Sequence, residues 1–191
     1  MVGTGSTQEP SRSTALRPFE PSDAAFLRDA HNDLAVQSMA FRAPAFPRPS
    51  REFERRVHEG FPAPFSAAVN AREFAIVAVH EPDQLVVGVA GLYSLDLHNL
   101  NAEIGVSIVK PEHRRRGLAS DALRSLVAFA FDHLALHRLY CNVKADNAAG
   151  LRLVESVGFC REGVLRAHRR RRDDYVDVLV LALLASRPVT A

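Results

Sequence analysis

Two hydrophobic periods divide the chain into segments that predict helices and strands. Over about 117–134, apolar residues recur at three- and four-residue spacing, which predicts a long helix with one buried face. That face carries Leu123, Leu126, Val127, Ala130 and Leu134. Runs of β-branched and apolar residues instead dominate 74–79, 85–93 and 176–185, and these predict strands. The chain therefore combines both kinds of element.

Caps and turn residues complete the predicted order of elements. Ser22 and Ser50 are of the type that caps helices, and we expect helices from about Asp23 and over 51–58. Gly158 suits the left-handed end of a helix over about 147–157. The other strands are expected at 14–19, 103–109, 137–143 and 159–164, and the last apolar run belongs to a strand near 175–184. The order β-α-α-β-β-β-α-β-α-β-β predicts an α/β fold, with a mixed sheet and helices on both faces.

Length and composition favour one globular domain. The chain has 191 residues, of which 47% are hydrophobic, enough for a sizeable core. We expect this domain over 14–186, after a small, polar and disordered arm at 1–13. The net charge of +2 does not call for a nucleic-acid or membrane partner. No apolar run approaches the roughly 20 residues needed to cross a bilayer.

The two cysteines indicate a reducing compartment. Cys141 and Cys160 lack a C-x-x-C spacing, and no secretory signal precedes them. Reduced thiols are typical of cytoplasmic proteins, so we expect a cytoplasmic location and two small core residues. His133 and His137 have a spacing that resembles a metal pair. They lack a third ligand, however, and the helix ends near Leu134, so no metal site is expected.

The chemistry is concentrated in one strand, turn and helix start. The β-branched run from Glu103 leads into Arg114-Arg115-Arg116-Gly117-Leu118-Ala119, after which the long helix begins. The first amides of a helix have no partner within it, and its dipole favours anions there. The pattern therefore predicts a pyrophosphate site, with a solvated basic turn as the alternative.

Three motifs together resemble the GCN5-related N-acetyltransferase (GNAT) superfamily. They are Arg114-x-x-Gly117-x-Ala119, the segment from Asn147 to Gly158-Phe159, and Glu162-Gly163-x-x-Arg166 followed by Tyr175-Val176-Asp177. Their order matches the family over about 14–185. The similarity is greatest to the branch of ribosomal-protein N-terminal and spermidine acetyltransferases. It implies the GNAT acyl-CoA N-acyltransferase fold, with a mostly antiparallel sheet in which the strand at Ser107–Val109 splays from the one at Leu139–Val143.

The resemblance implies acetyl-CoA as donor, a primary amine as acceptor, and direct transfer between them. The amides from Arg114 to Ser120 would hold the pyrophosphate of CoA. The positions concerned are Arg114, Arg115, Arg116, Gly117, Leu118, Ala119 and Ser120. Relatives carry Gly where this chain has Arg115, which matters if the backbone there needs a positive φ. The three guanidinium groups could add phosphate contacts.

The pantetheine arm of CoA would pair with the splayed strand at Ser107, Ile108 and Val109, as an added strand does. The Val109 N–H is the candidate donor to the developing oxyanion. Asn147, and with it Gly150, would lie beside this arm. Asn147 is also a good helix N-cap, and both roles can hold at once.

The acid–base residues are less complete. Glu103 is the candidate base for the acceptor ammonium, directly or through water, and the alternative is an ordinary glutamate at a strand start. Relatives protonate the thiolate with Tyr where this chain has Val154, or carry Ser where it has Gly150. Neither substitute can donate a proton, so water, Tyr93 or Tyr140 must do so.

Three questions about partners stay open. The basic run at 166–172 could contact RNA, a ribosome or an acidic acceptor, although a solvated hairpin tip is the simpler interpretation. The proline- and phenylalanine-rich segment at 41–65 suggests an apolar acceptor wall or a contact between two copies of the chain. The alternative functions are a polyamine or antibiotic acetyltransferase, and a CoA-binding module without turnover.

Overall fold

The described part of the chain contains one seven-stranded sheet. A computed structural model describes residues 14–33, 49–58, 72–78, 85–171 and 174–186. The predicted arm at 1–13 and most of the segment at 41–65 lie outside these residues. The strands are β1 (Thr14–Arg17), β2 (Arg72–Ala78), β3 (Val86–Asp96), β4 (Asn101–Ile108), β5 (Arg138–Lys144), β6 (Cys160–Arg171) and β7 (Asp174–Leu184).

The sheet is mixed, as predicted. Its strand order is β1-β2-β3-β4-β5-β7-β6, and every neighbouring pair is antiparallel except β4 and β5, which are parallel. The last predicted strand is β7, which lies between β5 and β6. Its burial between two strands explains the apolar run of its sequence.

Helices cover both faces of the sheet. They are α1 (Ala24–Asn32), α2 (Ser50–His58), α3 (Leu118–Ala128) and α4 (Ala148–Ser156). α3 continues in a wider turn over Phe129–His133 and buries its apolar stripe in the main core with Ile76, whereas Phe26 of α1 packs against Ala75 on the other face. No helix among the described residues is long and apolar enough to span a membrane.

Two helix starts differ from the prediction. Ser22 lies exposed within a 3-10 turn, Pro21–Asp23, that precedes α1. The Asp23 carboxylate accepts the Glu20 N–H at 2.8 Å and an ion pair from Arg17 at 2.6 Å, so it organises this start. Ser50 is itself the first residue of α2, and its hydroxyl accepts a hydrogen bond from Arg28. The residue types alone predicted serine caps, because the sequence does not show that Arg17 contacts Asp23 or that Arg28 contacts Ser50.

The turn between β3 and β4 and an irregularity beside it set the register of the central strands. The Asp96 carboxylate accepts the N–H groups of His98 and Asn99 at 2.9 and 2.8 Å. The Asn99 hydrogen bonds hold the pKa of Asp96 below its usual range. Asp96 pairs with Asn101, and between Asp96 and Tyr93 the register shifts by one residue, so that Tyr93 lies directly opposite Glu103. The turn and this shift together decide which side chains share a face with Glu103.

The basic run belongs mostly to a strand and not to a hairpin tip. β6 continues to Arg171, where prediction ended it at Val164. Its last residues pair with the start of β7, and this part of β7 has no pairing with β5, which pairs with β7 no further than Val178. A bulge opposite Asp177 separates the two parts of β6, and the Asp177 carboxylate accepts the Ala167 N–H there at 2.7 Å. The β6–β7 ribbon thus extends beyond the sheet.

The two cysteines differ in environment. Cys141 is buried on β5, as predicted, and burial raises the pKa of its thiol to about 12. Cys160 is exposed, so its predicted place in the core is wrong. It begins β6, an edge strand, and a sequence pattern does not distinguish the edge of a sheet from its centre.

This contrast predicts selective alkylation. Iodoacetamide at pH 8 should modify Cys160 in the native protein and spare Cys141, because only a thiolate reacts and Cys141 is buried and protonated. The protein is labelled once in native buffer and once in denaturant, and peptide mass spectrometry measures the labelled fraction of each cysteine. Equal native labelling of Cys141 would contradict the described packing, and the Cys160→Ser variant provides the control for single labelling.

Candidate active site

An opening between β4 and β5 is the central feature of the site. The two strands pair only at Asn101–Arg138, Ala102–Leu139 and Glu103–Tyr140. Beyond this point β4 remains paired with β3 as far as Ile108, and β5 remains paired with β7. The sheet is therefore continuous on either side of a gap that starts after Glu103. The predicted splay is present.

Backbone direction decides which groups of β4 face this gap. The Val109 N–H donates to the Val87 carbonyl at 3.0 Å and so points towards β3. It is not available as the oxyanion donor, which corrects that assignment. Because antiparallel pairing alternates along a strand, residues at even positions turn their backbone groups the other way. Val106 and Ile108 therefore face the gap, and Val106 was not among the predicted residues.

The turn after β4 has two residues with positive φ. Arg115 has φ +60° and Gly117 has φ +82°, so the position where relatives carry glycine does use the left-handed region. Gly117 is the N-cap residue of α3. Among the described residues, the N–H groups of Gly117, Leu118 and Ala119 donate to no acceptor. These three amides are the groups that can bind an anion.

Ser120 differs from these three amides. Its N–H donates to the Gly117 carbonyl at 2.9 Å, and its hydroxyl accepts a hydrogen bond from Arg124 at 2.6 Å. The Ser120 amide therefore closes the first helical turn. The hydroxyl still has its own proton to donate, so a contact from this residue to an anion would come from the hydroxyl and not from the amide.

The three consecutive arginines have different roles in the fold. Arg114 donates from Nε to the Ile108 carbonyl at 3.1 Å and from Nη2 to the Val109 carbonyl at 3.0 Å. Arg116 donates to Nδ1 of the buried His113 at 3.2 Å. Arg115 is exposed, and its guanidinium has no hydrogen bond within the described ranges. Of the three side chains, Arg115 is the one that can reach a phosphate without breaking an existing contact.

Glu103 lies where the gap begins. It is 8% exposed, and its Oε1 accepts a hydrogen bond from Asn142 Nδ2 at 3.1 Å, across the point where β4 leaves β5. This burial excludes the alternative of an ordinary surface glutamate. Asn142 was not predicted, although the polar residues Tyr140, Asn142 and Lys144 alternate with apolar ones along β5 and so indicate a shared face.

Two tyrosines flank Glu103. Tyr93 of β3 and Tyr140 of β5 are its register partners on either side, so all three side chains start from the same face of the sheet. The Tyr93 ring lies over Gly91 and Gly105: a Cβ atom added to Gly91 would lie 2.6 Å from its hydroxyl, and one added to Gly105 would lie 3.2 Å from Cε2. The glycine pair thus makes room for the ring.

The start of α4 contains Asn147 and Gly150. Asn147 is the N-cap, and its Oδ1 accepts the Gly150 N–H at 3.0 Å. A Cβ atom at Gly150 would lie 2.5 Å from Asn147 Nδ2, so a larger residue there would have to displace the Asn147 side chain. Val154 is buried in the main core. Neither position supplies a proton donor.

The two histidines with the spacing of a metal pair lie in different elements. The described part of the chain holds no group of three or more His, Cys, Asp or Glu side chains that could bind an ion. His133 ends the wide turn after α3, and His137 lies just before β5, so the two do not share a helical face.

Comparison with known proteins agrees with this architecture. A family model for the acetyltransferase (GNAT) domain matches residues 14–160. The uncharacterized N-acetyltransferase p20 of Bacillus licheniformis is 33% identical over 114 residues, which are 60% of this chain and 62% of that relative. The chain therefore spans less than two thirds of the length of this relative.

Spermidine acetyltransferases match over more of the chain at lower identity. The spermidine N(1)-acetyltransferase of Vibrio cholerae is 24% identical over 174 residues, which are 90% of this chain and 93% of that protein. A crystal structure of the Vibrio cholerae spermidine N-acetyltransferase in complex with CoA and spermine has a TM-score of 0.76 at 24% identity. It covers 91% of this chain and 96% of the other. This similarity supports the fold.

The two positive-φ residues predict opposite effects on stability. Gly117→Ala should lower the free energy of unfolding by about 1–2 kcal/mol, because a Cβ atom there meets no other atom but disfavours the left-handed region. Arg115→Gly should be neutral or raise it by up to about 1 kcal/mol, since relieved strain offsets the greater freedom of glycine in the unfolded chain. Urea unfolding measures the free energy of unfolding of both variants against the parent protein. A Gly117→Ala variant as stable as the parent would contradict the assigned backbone.

Proposed function

The chain belongs to the GNAT acetyltransferase family, and we propose that it is an N-acetyltransferase that uses acetyl-CoA to acetylate a primary amine. The observation that carries this proposal is the gap between β4 and β5, with the available amides of the α3 N-terminus at its end and the Glu103 carboxylate at its start. An acyl donor bound along the gap has its phosphates at the amides and its thioester near the carboxylate.

The described residues fit the donor. The Gly117, Leu118 and Ala119 amides, with the Arg115 guanidinium, suit a pyrophosphate by charge and hydrogen-bonding capacity. The N–H and carbonyl of Val106 and the N–H of Ile108 face the gap and can pair with the amides of pantetheine as a neighbouring strand would, whereas the Ile108 carbonyl already accepts a hydrogen bond from Arg114. Asn147 would stand beside the same arm while it caps α4. Bound acetyl-CoA supplies the activated acetyl thioester.

Glu103 is the proposed base. An alkylammonium must lose a proton before its nitrogen can attack the thioester carbonyl, and Glu103 would take that proton directly or through water. The new N–C bond forms as the C–S bond breaks. A β4 amide facing the gap, from Val106 or Ile108, would stabilise the negative charge on the carbonyl oxygen. Asn142 holds the carboxylate in place.

The proton for the departing thiolate has two sources in this proposal, water and a tyrosine. Gly150 and Val154 cannot donate one, as set out above. Tyr140 stands on β5 where the gap begins, in register with Glu103, and is therefore the tyrosine that borders the gap itself. The reaction then needs no metal, and the reduced thiols of the chain are compatible with a cytoplasmic location.

Acceptor class is the part of the function to be determined by experiment. Similarity to the Vibrio cholerae spermidine N(1)-acetyltransferase favours a polyamine, and the branch resemblance also includes protein N-termini. An acetyl-CoA consumption assay with spermidine, alkylamines, an aminoglycoside and short peptides distinguishes these acceptors. Release of CoA with at least one amine is the expected result.

The absence of a donor at Gly150 and Val154 supports one other function, a CoA-binding module without turnover. In that case calorimetry would detect acetyl-CoA binding while no amine of the panel releases CoA. If acetyl-CoA does not bind at all, both proposals fail.

Replacement of Glu103 tests its role as base. Glu103→Gln keeps the shape and the contact with Asn142 but cannot accept a proton, so kcat should fall about 10²- to 10⁴-fold at pH values below the acceptor pKa. The difference should shrink at higher pH, where the free amine is already abundant. A pH profile of kcat measures this, and an unchanged profile shape would exclude Glu103 as base. Glu155→Gln, an exposed change on α4, is the matched control.

A further inference from the structure

We propose that the outer end of the β6–β7 ribbon binds single-stranded nucleic acid. We call this end the basic ribbon and define it as residues 166–170 of β6 with 174–177 of β7. Such binding is a further property of the chain and is independent of acetyl transfer. The accessibility of the ribbon, its charge, and an exposed tyrosine opposite an arginine support this assignment.

The basic ribbon is accessible from both faces. β5 pairs with β7 no further than Val178, so residues 174–177 of β7 lie beyond the part of the strand that β5 covers. Every residue of β6 over 160–168 is exposed, and so are Arg170 and Tyr175. Successive residues of a strand point to opposite faces, so exposure along the whole run leaves both faces open to a long ligand.

The positive charge of the chain is concentrated in this short segment. Over 166–177 the sequence has five arginines and three aspartates, a formal net charge of +2 that equals the net charge of the whole chain. The carboxylates of Asp174 and Asp177 each accept a backbone N–H of the ribbon at 2.7 Å. Arg166 is exposed, and its guanidinium has no hydrogen bond within the described ranges, so it can bind a phosphate without breaking a contact.

Tyr175 adds an aromatic surface to this charge. Its side chain is 57% exposed, and it lies directly opposite Arg170 in the register of β6 and β7. The Cβ atoms of such a pair are about 5 Å apart on the same face of the ribbon. A base stacked on the tyrosine ring therefore has its backbone phosphate near the Arg170 guanidinium, which suits phosphate oxygens by charge and shape.

Arginine and tyrosine side chains together favour nucleic acid over other anions. Each nucleotide brings one phosphate and one aromatic base, and so uses both kinds of side chain. An acidic stretch of polypeptide brings carboxylates and satisfies the arginines alone. A single strand is required, because only unpaired bases can leave their neighbours and stack on a protein ring.

Binding of labelled oligonucleotides to the whole chain tests the proposal. Fluorescence anisotropy with oligouridylate RNA and oligothymidylate DNA of about 12 nucleotides gives Kd and its dependence on salt. At physiological salt Kd should be about 1–100 µM. Three arginine–phosphate contacts predict a slope of log Kd against log salt of about 2, since each contact contributes about 0.7. Binding of either oligonucleotide supports the proposal, and the tighter of the two identifies the natural class.

Single substitutions separate the charge contribution from the stacking contribution. Arg166→Gln should lower the salt slope by about 0.7, because one phosphate contact is lost. Tyr175→Ala should raise Kd about 5-fold or more and leave the slope unchanged, whereas Tyr175→Phe keeps the ring and should keep the parent Kd. Arg152→Gln removes the same charge from an exposed position on α4, and this matched control should change neither quantity.

Three results would overturn the proposal. They are no binding of either oligonucleotide at low ionic strength, the same Kd for Tyr175→Ala as for the parent, and displacement of the labelled strand by polyglutamate of equal charge as readily as by unlabelled oligonucleotide. The third result would assign the ribbon to an acidic polypeptide. Each of them leaves the proposed acetyltransferase function standing, since the basic ribbon contains none of the residues assigned to acetyl-CoA or to the base.

Discussion

A strand that leaves its neighbour exposes backbone groups that must find other partners, and this constraint organises the site. β4 loses β5 after Glu103, in the middle of the sheet, where solvent access is limited. The fold satisfies part of the exposed backbone itself: Arg114 returns from the following turn to bind the carbonyls of Ile108 and Val109. The remaining groups face the gap. A ligand with its own amides can pair with these groups as a neighbouring strand would, so its binding depends on the backbone geometry of β4.

The register of the strands decides which side chains lie together beside this gap. The Asp96 turn and the register shift that follows it pair Tyr93 with Glu103, and the short parallel contact pairs Glu103 with Tyr140. A further shift of one residue would turn Glu103 into the apolar core and bring Ile104 to the opposite face. The position of the proposed base therefore depends on a turn and an irregularity outside the site, and no sequence motif expresses this dependence.

Sequence alone predicted the order of elements because periodicity and turn residues are local properties. The strand-turn-helix pattern around Gly117 is likewise local, whereas the role proposed for Glu103 comes from the family resemblance and stays a prediction. Sequence alone failed where the answer depends on neighbours in space. The Val109 amide was chosen without knowing that it pairs with Val87, whereas the alternation along β4 places Val106 and Ile108 at the gap. The exposure of Cys160 follows from the position of β6 at the sheet edge, which sequence does not show.

The basic part of β6 has a consequence for the protein in solution. An edge strand offers unpaired backbone groups to any other chain, and β6 also exposes Val164 and Leu165. Arg166, Arg169 and Arg170 lie on the same strand, and positive side chains on an edge strand disfavour its pairing with a second copy of the same edge. Residues of this kind are typical gatekeepers against edge-to-edge aggregation. Their protection weakens as salt concentration rises, since the charges are screened over about 10 Å at 0.1 M ionic strength.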